Sequence, residues 1–289
     1  MIHQQKVQIL SNRQIHGNYY QLGIRCDQGF EKTIPGQFVM IRLSDNYYPL
    51  LRRPFSIHNV FQDEKGVYCV ELLYKVIGKG TRALSEYQAN QWIDILGPIG
   101  NGFRINESIK SALMVSGGIG VAPMLYLAKC LLKNGTGCHL INGGRTASDV
   151  LCTDRFQSMG IAVSVYTDDG SSGTPGFVTD HLSDYLKNRD DDIIYTCGPT
   201  PMLSKVSEIA EEMKILCEVS LESHMACGMG ACLGCAVASK DPQHPSYFHV
   251  CADGPVFSSE LGFGVEVVPE TAAGGDDDGN CFIGVLLGM

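Results

Sequence analysis

Four cysteines near the C-terminal end of the chain have a spacing that suits a binuclear iron–sulfur centre. They follow the pattern C-x4-C-x2-C-x15-C, which is the plant-type [2Fe–2S] spacing. Three closely spaced thiolates can wrap one side of a compact anionic cluster, and a distant fourth can close it. Glycines between them let the backbone pass close to the cluster and direct N–H groups at its sulfurs. The sequence therefore predicts a cluster held by Cys227, Cys232, Cys235 and Cys251.

A zinc site, a Rieske-type site and unliganded thiols are the alternatives for this region. Structural zinc sites usually combine two short Cys or His pairs, and only Cys232 and Cys235 form such a pair here. His224 and His249 lie near the cysteines in sequence, but four suitably spaced thiols make a His2Cys2 site unnecessary. The remaining cysteines lack ligand spacing, and we interpret most of them as small buried apolar side chains: Cys26, Cys69, Cys130, Cys138, Cys152, Cys197, Cys217 and Cys281.

Two glycine loops occur where a ligand-binding edge is expected. Gly117-Gly118-Ile119-Gly120 follows the apolar run Ala112–Ser116, and Cys197-Gly198-Pro199 follows another predicted strand. Each precedes a helical pattern, so a pyrophosphate could approach the backbone and a helix N-terminus. The first loop does not match G-x-G-x-x-G, and glycine at such a turn often serves packing alone. The pair indicates a nucleotide site more strongly than either loop, because both would open at one edge of a parallel sheet.

Residues of the N-terminal half could hold a dinucleotide. Arg53-Pro54-Phe55-Ser56 begins a predicted strand, Leu73-Tyr74-Lys75 ends another, and Gly80-Thr81 follows shortly after. A guanidinium suits phosphate groups, and a glycine-hydroxyl turn offers backbone amides. Plain barrel packing is the alternative for Ser56 and Tyr74, and it stays open.

The elements around these motifs change character along the chain. Residues 6 to about 100 contain short β-branched, aromatic and apolar runs bounded by turn residues, which predicts an antiparallel barrel or sandwich. From about residue 108, strands alternate with helical patterns over Ala122–Lys133 and over 149–158, 178–187 and 199–214, which is typical of a parallel α/β layer. Helical periodicity ends after residue 217, and residues 272–280 have a linker composition.

Composition and charge argue against several classes of protein. A length of 289 residues suggests two domains and a small third, and 44% hydrophobic with 18% charged residues excludes global disorder. The net charge of -9 argues against nucleic-acid binding. Neither a run of 18 apolar residues nor a signal-peptide pattern occurs, so we expect a cytoplasmic protein without a membrane span or a disulfide framework.

Together these segments resemble the ferredoxin-NADP reductase family. Arg53–Ser56 resembles its flavin motif R-x-[YF]-[ST], Gly117–Pro123 its GGxGxxP loop, and Cys197–Pro199 its CGP motif. Residues 225–235, MACGMGACLGC, are similar to the electron-transfer subunits of NAD-dependent dihydroorotate dehydrogenase, as are residues 73–75, 80–81 and 96–103. The resemblance runs from about residue 5 to residue 268 and leaves the tail unexplained.

The resemblance implies a division of labour along the chain. It implies an FAD-binding antiparallel β-barrel over 1–105, a doubly wound NAD-binding α/β domain over 106–216, a [2Fe–2S] module over 217–268 and a linker-like tail over 269–289. The implied FAD contacts are Arg53, Pro54, Phe55, Ser56, Leu73, Tyr74, Lys75, Gly80 and Thr81. The implied NAD contacts are Gly117, Gly118, Ile119, Gly120, Cys197, Gly198 and Pro199.

The implied function is electron transfer in pyrimidine synthesis. Electrons would pass from a dihydroorotate-oxidising partner with its own flavin to [2Fe–2S], to FAD and then to NAD+, in a heterotetramer with two copies of each subunit. No residue here would act as an acid or base on dihydroorotate. The alternatives are a flavin reductase that serves a ferredoxin, sulfide or hydrogenase partner, and a non-enzymatic Fe–S sensor or zinc module. For nucleotide choice, Arg145 could favour a 2′-phosphate, whereas Asp168 or Asp169 would disfavour it.

Overall fold

Six antiparallel strands form a closed barrel in the N-terminal part of the molecule. The structure, a computed structural model, describes residues 2–26, 29–43, 50–239, 247–261 and 263–264. The barrel order is β1-β2-β5-β4-β3-β6, and β1 closes it by pairing with β2 through its C-terminal half and with β6 through its N-terminal half. The predicted barrel is confirmed, with strands β1 (His3–His16), β2 (Tyr19–Cys26), β3 (Phe38–Arg42), β4 (Arg53–Gln62), β5 (Tyr68–Lys75) and β6 (Trp92–Ile99).

A short helix, α1 (Lys79–Ser85), follows β5 and was not predicted from the sequence. Leu84 packs into the barrel core, and the Asn12 amide on β1 donates to the carbonyls of Leu84 and Tyr87 at 2.8 and 3.0 Å. Residues 80 and 81, which the sequence places in a turn, therefore belong to the first turn of a helix that is fixed to the barrel.

A seven-stranded sheet forms the second layer, in the order β10-β9-β8-β7-β11-β12-β15. All its pairs are parallel except that between β12 and β15. This confirms the predicted doubly wound α/β domain. Its strands are β7 (Ser111–Gly117), β8 (Gly137–Gly144), β9 (Ala162–Thr167), β10 (Thr174–Pro175), β11 (Ile193–Cys197), β12 (Leu216–Ser220) and β15 (Val256–Ser258).

Alternation along the sheet strands buries both faces of this sheet. On β7, Leu113 and Val115 face the core beneath two of the helices, whereas Ala112 and Met114 face the core beneath the other two. Side chains of successive residues in a strand point to opposite faces, so an apolar run supplies both cores. The first pair of helices is α4 (Leu182–Lys187) and α5 (Thr200–Met213), and the second is α2 (Met124–Lys133) and α3 (Thr153–Gln157).

Two predicted helices are shorter than their patterns suggest. The pattern over 149–158 yields α3 only, because Cys152 adopts a left-handed conformation (φ 61°) immediately before it. The pattern over 178–187 yields α4 only, because the Asp180 carboxylate accepts the Phe177 N–H at 2.8 Å and closes a turn there. The first residue of each helix is therefore determined by a left-handed backbone conformation at Cys152 and by a side-chain hydrogen bond of Asp180, and not by the spacing of apolar residues.

The C-terminal module is interwoven with the nucleotide sheet. The predicted boundary between residues 216 and 217 falls inside β12, and β15 comes from the predicted 217–268 module. A separate three-stranded sheet consists of β13 (Ala236–Ser239), β14 (Tyr247–His249) and β16 (Phe263–Gly264), in the order β14-β13-β16. The predicted tail, 269–289, lies outside the described residues.

No helix in the described part of the chain is both long and apolar enough to cross a membrane.

Candidate functional site

The predicted cluster ligands lie in two neighbouring pairs. Cys235 and Cys251 form the buried pair, with their Sγ atoms 3.1 Å apart. The backbone N–H of Gly230 donates to Cys251 Sγ at 3.1 Å, and that of Cys251 donates to Cys235 Sγ at 3.5 Å. Desolvation and the hydrogen bond with Cys235 raise the pKa of the Cys251 thiol to about 12, so a metal ion must displace that proton on binding.

Cys227 and Cys232 form the outer pair, and their side chains hydrogen-bond to each other. The Met229 N–H donates to Cys227 Sγ at 3.4 Å. Desolvation disfavours the Cys227 thiolate, but the hydrogen bonds outweigh it and lower the pKa of this thiol to about 7. Cys232 is exposed, so this pair lies at the surface of the molecule.

Two cysteine pairs fit a binuclear cluster better than a single ion. A [2Fe–2S] cluster needs two cysteines on each iron, whereas a structural zinc site needs four ligands around one point. Within the described ranges, no three metal-ligating side chains surround a common point. The histidine alternative gains no support, because His249 Nδ1 lies 3.5 Å from the Asp253 carboxylate. Four thiols, with N–H donors aimed at the sulfurs of Cys227, Cys235 and Cys251, suit [2Fe–2S].

The loop that carries the cysteines packs directly on the barrel. Gly228 has a left-handed backbone (φ 73°), and a Cβ there would lie 2.7 Å from Met40 Cγ and 3.5 Å from the Ile99 side chain. The first is too close for a methyl group, so the absence of a side chain lets the loop rest on β3 and β6. The cysteine loop is therefore held against the same barrel that carries the predicted flavin motif.

The predicted flavin motif opens onto the segment that leads into the cysteine loop. Phe55 points into the barrel core and is 1% exposed, so its neighbours Pro54 and Ser56 point outward. Both line a small cleft of about 40 Å³ whose opposite wall includes Glu222 and Met225. Motif and cysteine segment thus face each other across one gap.

Arg53 lies beside the first turn of α1. A Cβ at Gly80 would come within 3.3 Å of Arg53 Nε, so the glycine allows the guanidinium to approach the helix. Thr81 is buried, and its hydroxyl accepts the N–H groups of Ile77 and Gly78 at 3.0 and 3.2 Å. The hydroxyl therefore shapes this turn, and the backbone amides of the turn remain the groups suited to a phosphate.

The three residues at the end of β5 are not brought together on one surface. Tyr74 is fully buried, stacks on Tyr20, and donates its hydroxyl proton to Asn12 Oδ1 at 3.0 Å. Leu73 is also buried, so both side chains pack inside the protein and only their backbone can meet a ligand. Lys75 instead reaches a larger cleft between the two domains.

This larger cleft has a volume of about 500 Å³ and lies between the barrel and the carboxyl edge of the parallel sheet. Both predicted nucleotide loops line it, through Gly117–Ile119 and Pro199. Its remaining walls come from both domains: Tyr19, Lys75, Ile77, Gly143, Gly144, Arg145, Asp149, Tyr166, Asp168, Gly176, Phe177, Val178, Thr179, Pro201 and Met202.

The two nucleotide loops touch through their backbones. A Cβ at Gly120 would lie 2.6 Å from the carbonyl carbon of Cys197 and 2.8 Å from the Cα of Gly198, so only glycine fits there. Cys197 is 1% exposed. Burial, together with the nearby Glu222 carboxylate, raises the pKa of its thiol well above the usual range. Cys197 is therefore a neutral thiol, which agrees with a contact role and not with a nucleophile.

Paired charges at the mouth of the cleft escaped the sequence analysis. Asp149 accepts the Tyr19 hydroxyl proton at 2.6 Å and lies 3.3 Å from Lys75 Nζ. Desolvation works against the ionised carboxyl, but these two partners lower the pKa of Asp149 overall. Residues 19, 75 and 149 are distant in the chain, so no local pattern could have revealed them.

Glu222 was also missed. Its side chain is exposed and borders the small cleft. It lines the same small cleft as Ser56, and its charge also acts on Cys197 in the second nucleotide loop. Its sequence neighbourhood, VSLESHM, mixes apolar and polar residues and gives no local signal for this position.

Two family models match the chain. Residues 114–208 match an oxidoreductase NAD-binding domain. Residues 222–261 match the iron–sulfur cluster binding domain of dihydroorotate dehydrogenase B. The matched segments contain the two glycine loops and the four cysteines.

Curated proteins and solved structures agree with these matches. The chain is 40% identical over 255 residues to the dihydroorotate dehydrogenase B (NAD(+)) electron transfer subunit of Caldanaerobacter subterraneus subsp. tengcongensis, covering 88% of this chain and 96% of that protein. The Bacillus mycoides protein of the same name is 39% identical, with coverages of 89% and 97%.

Among solved structures, an NADH-dependent reduced ferredoxin-NADP oxidoreductase superposes with a TM-score of 0.77, 30% identity and 88% coverage of both chains. A ferredoxin NADP+ reductase from Neisseria gonorrhoeae with bound FAD and NADP is 16% identical with a TM-score of 0.60, covering 73% of this chain and 91% of that one. This second likeness concerns the fold alone.

We predict that Gly120→Ala separates the two nucleotide loops. The new methyl group would collide with backbone atoms of residues 197 and 198 that cannot swing aside. Overpacking of this kind costs about 3 kcal/mol of unfolding free energy, and we expect affinity for NAD+ to fall by roughly tenfold or more. Chemical denaturation and calorimetric titration measure the two effects.

The matched control is Gly137→Ala at the start of β8, where a Cβ would lie 3.5 Å from the Lys110 carbonyl oxygen, an ordinary contact. We expect it to change stability by less than about 0.5 kcal/mol. Equal effects of the two substitutions would refute the close-approach explanation.

Proposed function

This chain belongs to the family of electron transfer subunits of NAD-dependent dihydroorotate dehydrogenase B, and we propose that the cysteine loop and the two clefts are the sites through which it works. As an oxidoreductase subunit of pyrimidine synthesis, it passes electrons from a dihydroorotate-oxidising partner through [2Fe–2S] and FAD to NAD+. The single observation that carries the site assignment is the convergence of flavin motif, nucleotide loops and cysteine loop at the junction of barrel and sheet.

We propose that Cys227 and Cys232 hold one iron and that Cys235 and Cys251 hold the other. The pairing of their sulfurs supports this. The amides of Met229 and Gly230 already donate to two of the sulfurs, and such bonds stabilise thiolate charge and tune the reduction potential of a bound cluster.

For FAD, we propose that Arg53 and the first turn of α1 bind the pyrophosphate, because the guanidinium and the turn amides of Gly80 and Thr81 lie side by side. Pro54 and Ser56 would then border the flavin ring in the small cleft. Phe55 supports this strand from within the barrel. The burial of Leu73 and Tyr74 limits their proposed contribution to backbone contacts.

For NAD, we propose that Gly117–Gly120 and Cys197–Pro199 receive the nucleotide at the carboxyl edge of the sheet. Both loops line the larger cleft, which supports this assignment. Asp168 and Arg145 face the same cleft, and desolvation raises the pKa of Asp168. An acidic group on this wall favours a ribose hydroxyl over a 2′-phosphate, in keeping with NAD.

The order of the sites matches the chemistry that the groups supply. When bound, FAD can exchange a hydride with NAD and single electrons with the cluster, which is why it stands between them. The protein holds the flavin motif between both neighbours: Ser56 lies across the small cleft from Met225, two residues before Cys227. Glu222 and the neutral Cys197 thiol border the same region. The described side chains position the reactants, and none is required as an acid or base on dihydroorotate.

The partner is a catalytic subunit, as the names of the relatives imply. We propose that this partner carries its own flavin, that two copies of each subunit assemble, and that the complex works in the cytoplasm. The partner would dock over the outer cysteine pair. Exposure of Met229 (50%) and Leu233 (62%) beside the exposed Cys232 supports a contact surface there.

The first test of this proposal is reconstitution under argon. We expect the purified chain to contain about one FAD and two iron atoms with two sulfides, and NADH to bleach the flavin. After mixing with the catalytic subunit, dihydroorotate and NAD+ should yield orotate and NADH. Bound zinc instead of iron, or transfer to ferredoxin, sulfide or a hydrogenase but not to the dihydroorotate-oxidising subunit, would contradict the proposal.

We predict that Cys232→Ser separates the two halves of the electron path. This thiol is an exposed ligand, so its replacement should remove the cluster and leave the fold intact. Reduction of NAD+ coupled to dihydroorotate oxidation should fall by more than about 100-fold, because the path through the cluster is broken. NADH oxidation by a dye that accepts electrons from FAD should stay within about twofold.

Cys138→Ser is the matched control, because this half-buried thiol donates to the Thr136 carbonyl far from the cluster and serine can replace that bond. It should retain both activities. Loss of dye reduction in Cys232→Ser with FAD still bound would argue against the proposed order of carriers.

A further inference from the structure

A continuous chain of polar contacts joins the barrel to the nucleotide domain. Lys129 on α2 donates to Asn59 Oδ1, and the Asn59 amide donates to Glu71 Oε2, both at 2.8 Å. Arg155 on α3 donates through Nη2 to the same carboxylate oxygen at 2.8 Å. Its Nη1 lies 3.2 Å from Nε2 of His58. Asn59, His58 and Glu71 belong to the barrel, so the network spans the domain junction.

The end of this chain meets the first nucleotide loop. His58 Nδ1 lies 2.6 Å from the carbonyl oxygen of Ala122, two residues after Gly120. Helix α2 uses the Pro123 carbonyl as an early acceptor, for the Leu127 N–H at 3.3 Å. The Ala122 carbonyl therefore lies just before the helical ladder, where a side-chain donor can anchor it.

A β-bulge aims His58 in this direction. The pairing of β4 with β5 runs from Ile57 opposite Leu72 to Asn59 opposite Glu71, which leaves His58 as the extra residue. Bulges commonly redirect a side chain at functional sites. His58 is completely buried, although it stands on the outer face of the barrel two residues after Ser56.

The geometry defines the protonation state of this imidazole. A carbonyl oxygen only accepts, so Nδ1 carries the proton, and Nε2 accepts from the Arg155 guanidinium. Desolvation is the main cause that lowers the pKa of His58 to about 4. The hydrogen bond to Ala122 and the charge of Glu71 oppose this shift, whereas the positive charges of Arg155 and Lys129 add to it. The Cys152 thiol, at 3.9 Å from Nε2, is the remaining titratable neighbour. The ring is thus neutral and has one fixed tautomer.

We propose that His58 is a positioning residue that sets the separation between the flavin strand and the first nucleotide loop. One hydrogen bond connects a residue two positions from Ser56 with a residue two positions from Gly120. Arg155, Glu71, Asn59 and Lys129 brace this bond from both domains. This inference rests on the proposed function, in which the barrel binds FAD and the nucleotide domain binds NAD. The bond then governs how closely the two reactants approach. Small errors in such geometry cost large factors in rate, up to roughly 100-fold for 1 Å.

The test compares His58→Leu with His58→Gln. Leucine removes both hydrogen bonds, whereas glutamine keeps an N–H donor for Ala122 and an oxygen acceptor for Arg155. We expect His58→Leu to slow flavin reduction at saturating NADH by roughly ten- to 100-fold per bound FAD, measured by anaerobic stopped flow. Cluster and FAD contents should remain those of the wild type. His58→Gln should return the rate to within about threefold.

A second readout does not depend on activity. Hydrogen–deuterium exchange of the flavin-free protein should show roughly tenfold faster exchange over residues 117–122 in His58→Leu, because the anchored carbonyl is released. Exchange over β8 should not change. His139→Leu is the matched control: this half-buried histidine contacts Ser164 within the sheet, at 2.9 Å, and should leave both readouts unchanged.

Arg155→Met keeps the test decisive if His58→Leu does not fold, since it removes only the donor to Nε2 and the contact with Glu71. This variant should lower the rate of flavin reduction by less than His58→Leu does, and it should show faster hydrogen–deuterium exchange over the same residues, 117–122. Wild-type rates and exchange in His58→Leu, or a glutamine variant as slow as the leucine variant, would overturn the inference. If NADH does not reduce the flavin of the wild-type protein, the proposed function itself is contradicted.

Discussion

Pairing between β12 and β15 positions the whole cysteine module, because these strands are the two ends of a single excursion of the chain. The chain leaves the sheet after Ser220 and returns at Val256, and these two residues face each other in the ladder. Leu221 N–H donates to the Pro255 carbonyl at 2.8 Å, and Asn101 N–H, just after β6, donates to the Gly254 carbonyl at 2.6 Å. The base of the excursion is thereby fixed to both domains at once.

This constraint explains why the three cofactor regions meet. The excursion starts beside the second nucleotide loop, because β12 lies next to β11 and Ser220 pairs with Cys197. It then crosses the flavin motif at Glu222 and Met225. Gly228 finally brings the cysteine loop onto β3 and β6. The barrel, the sheet and the cysteine loop are thus arranged by one continuous segment, residues 221–255, without a long linker between the carriers.

Much of this architecture could be predicted from the sequence, since the signals are local. Short β-branched, aromatic and apolar runs bounded by turn residues indicated the barrel strands, the strand–glycine–helix order indicated the parallel sheet, and cysteine spacing indicated the cluster. The fold class and cofactors are confirmed. The individual contact residues stay predictions. Features created by distant pairing were not accessible: the return of Val256–Ser258 to the sheet, the bulge at His58, and the contact of Asp149 with Lys75 and Tyr19. Tyr74 shows that a motif match alone does not place a side chain at a ligand site, because the side chain of this residue packs in the barrel core.

The antiparallel strand β15 has a consequence for solubility as well as for assembly. Without it, β12 would present the unpaired N–H and C=O groups of a five-residue strand to other chains, and open edges of this kind invite intermolecular β-pairing. The opposite border of the sheet ends in β10, which is only two residues long and contains a proline. The cysteine-containing segment therefore also covers the edge of the nucleotide-domain sheet. A chain truncated before this segment would expose β12 as an edge strand that is able to pair with other chains.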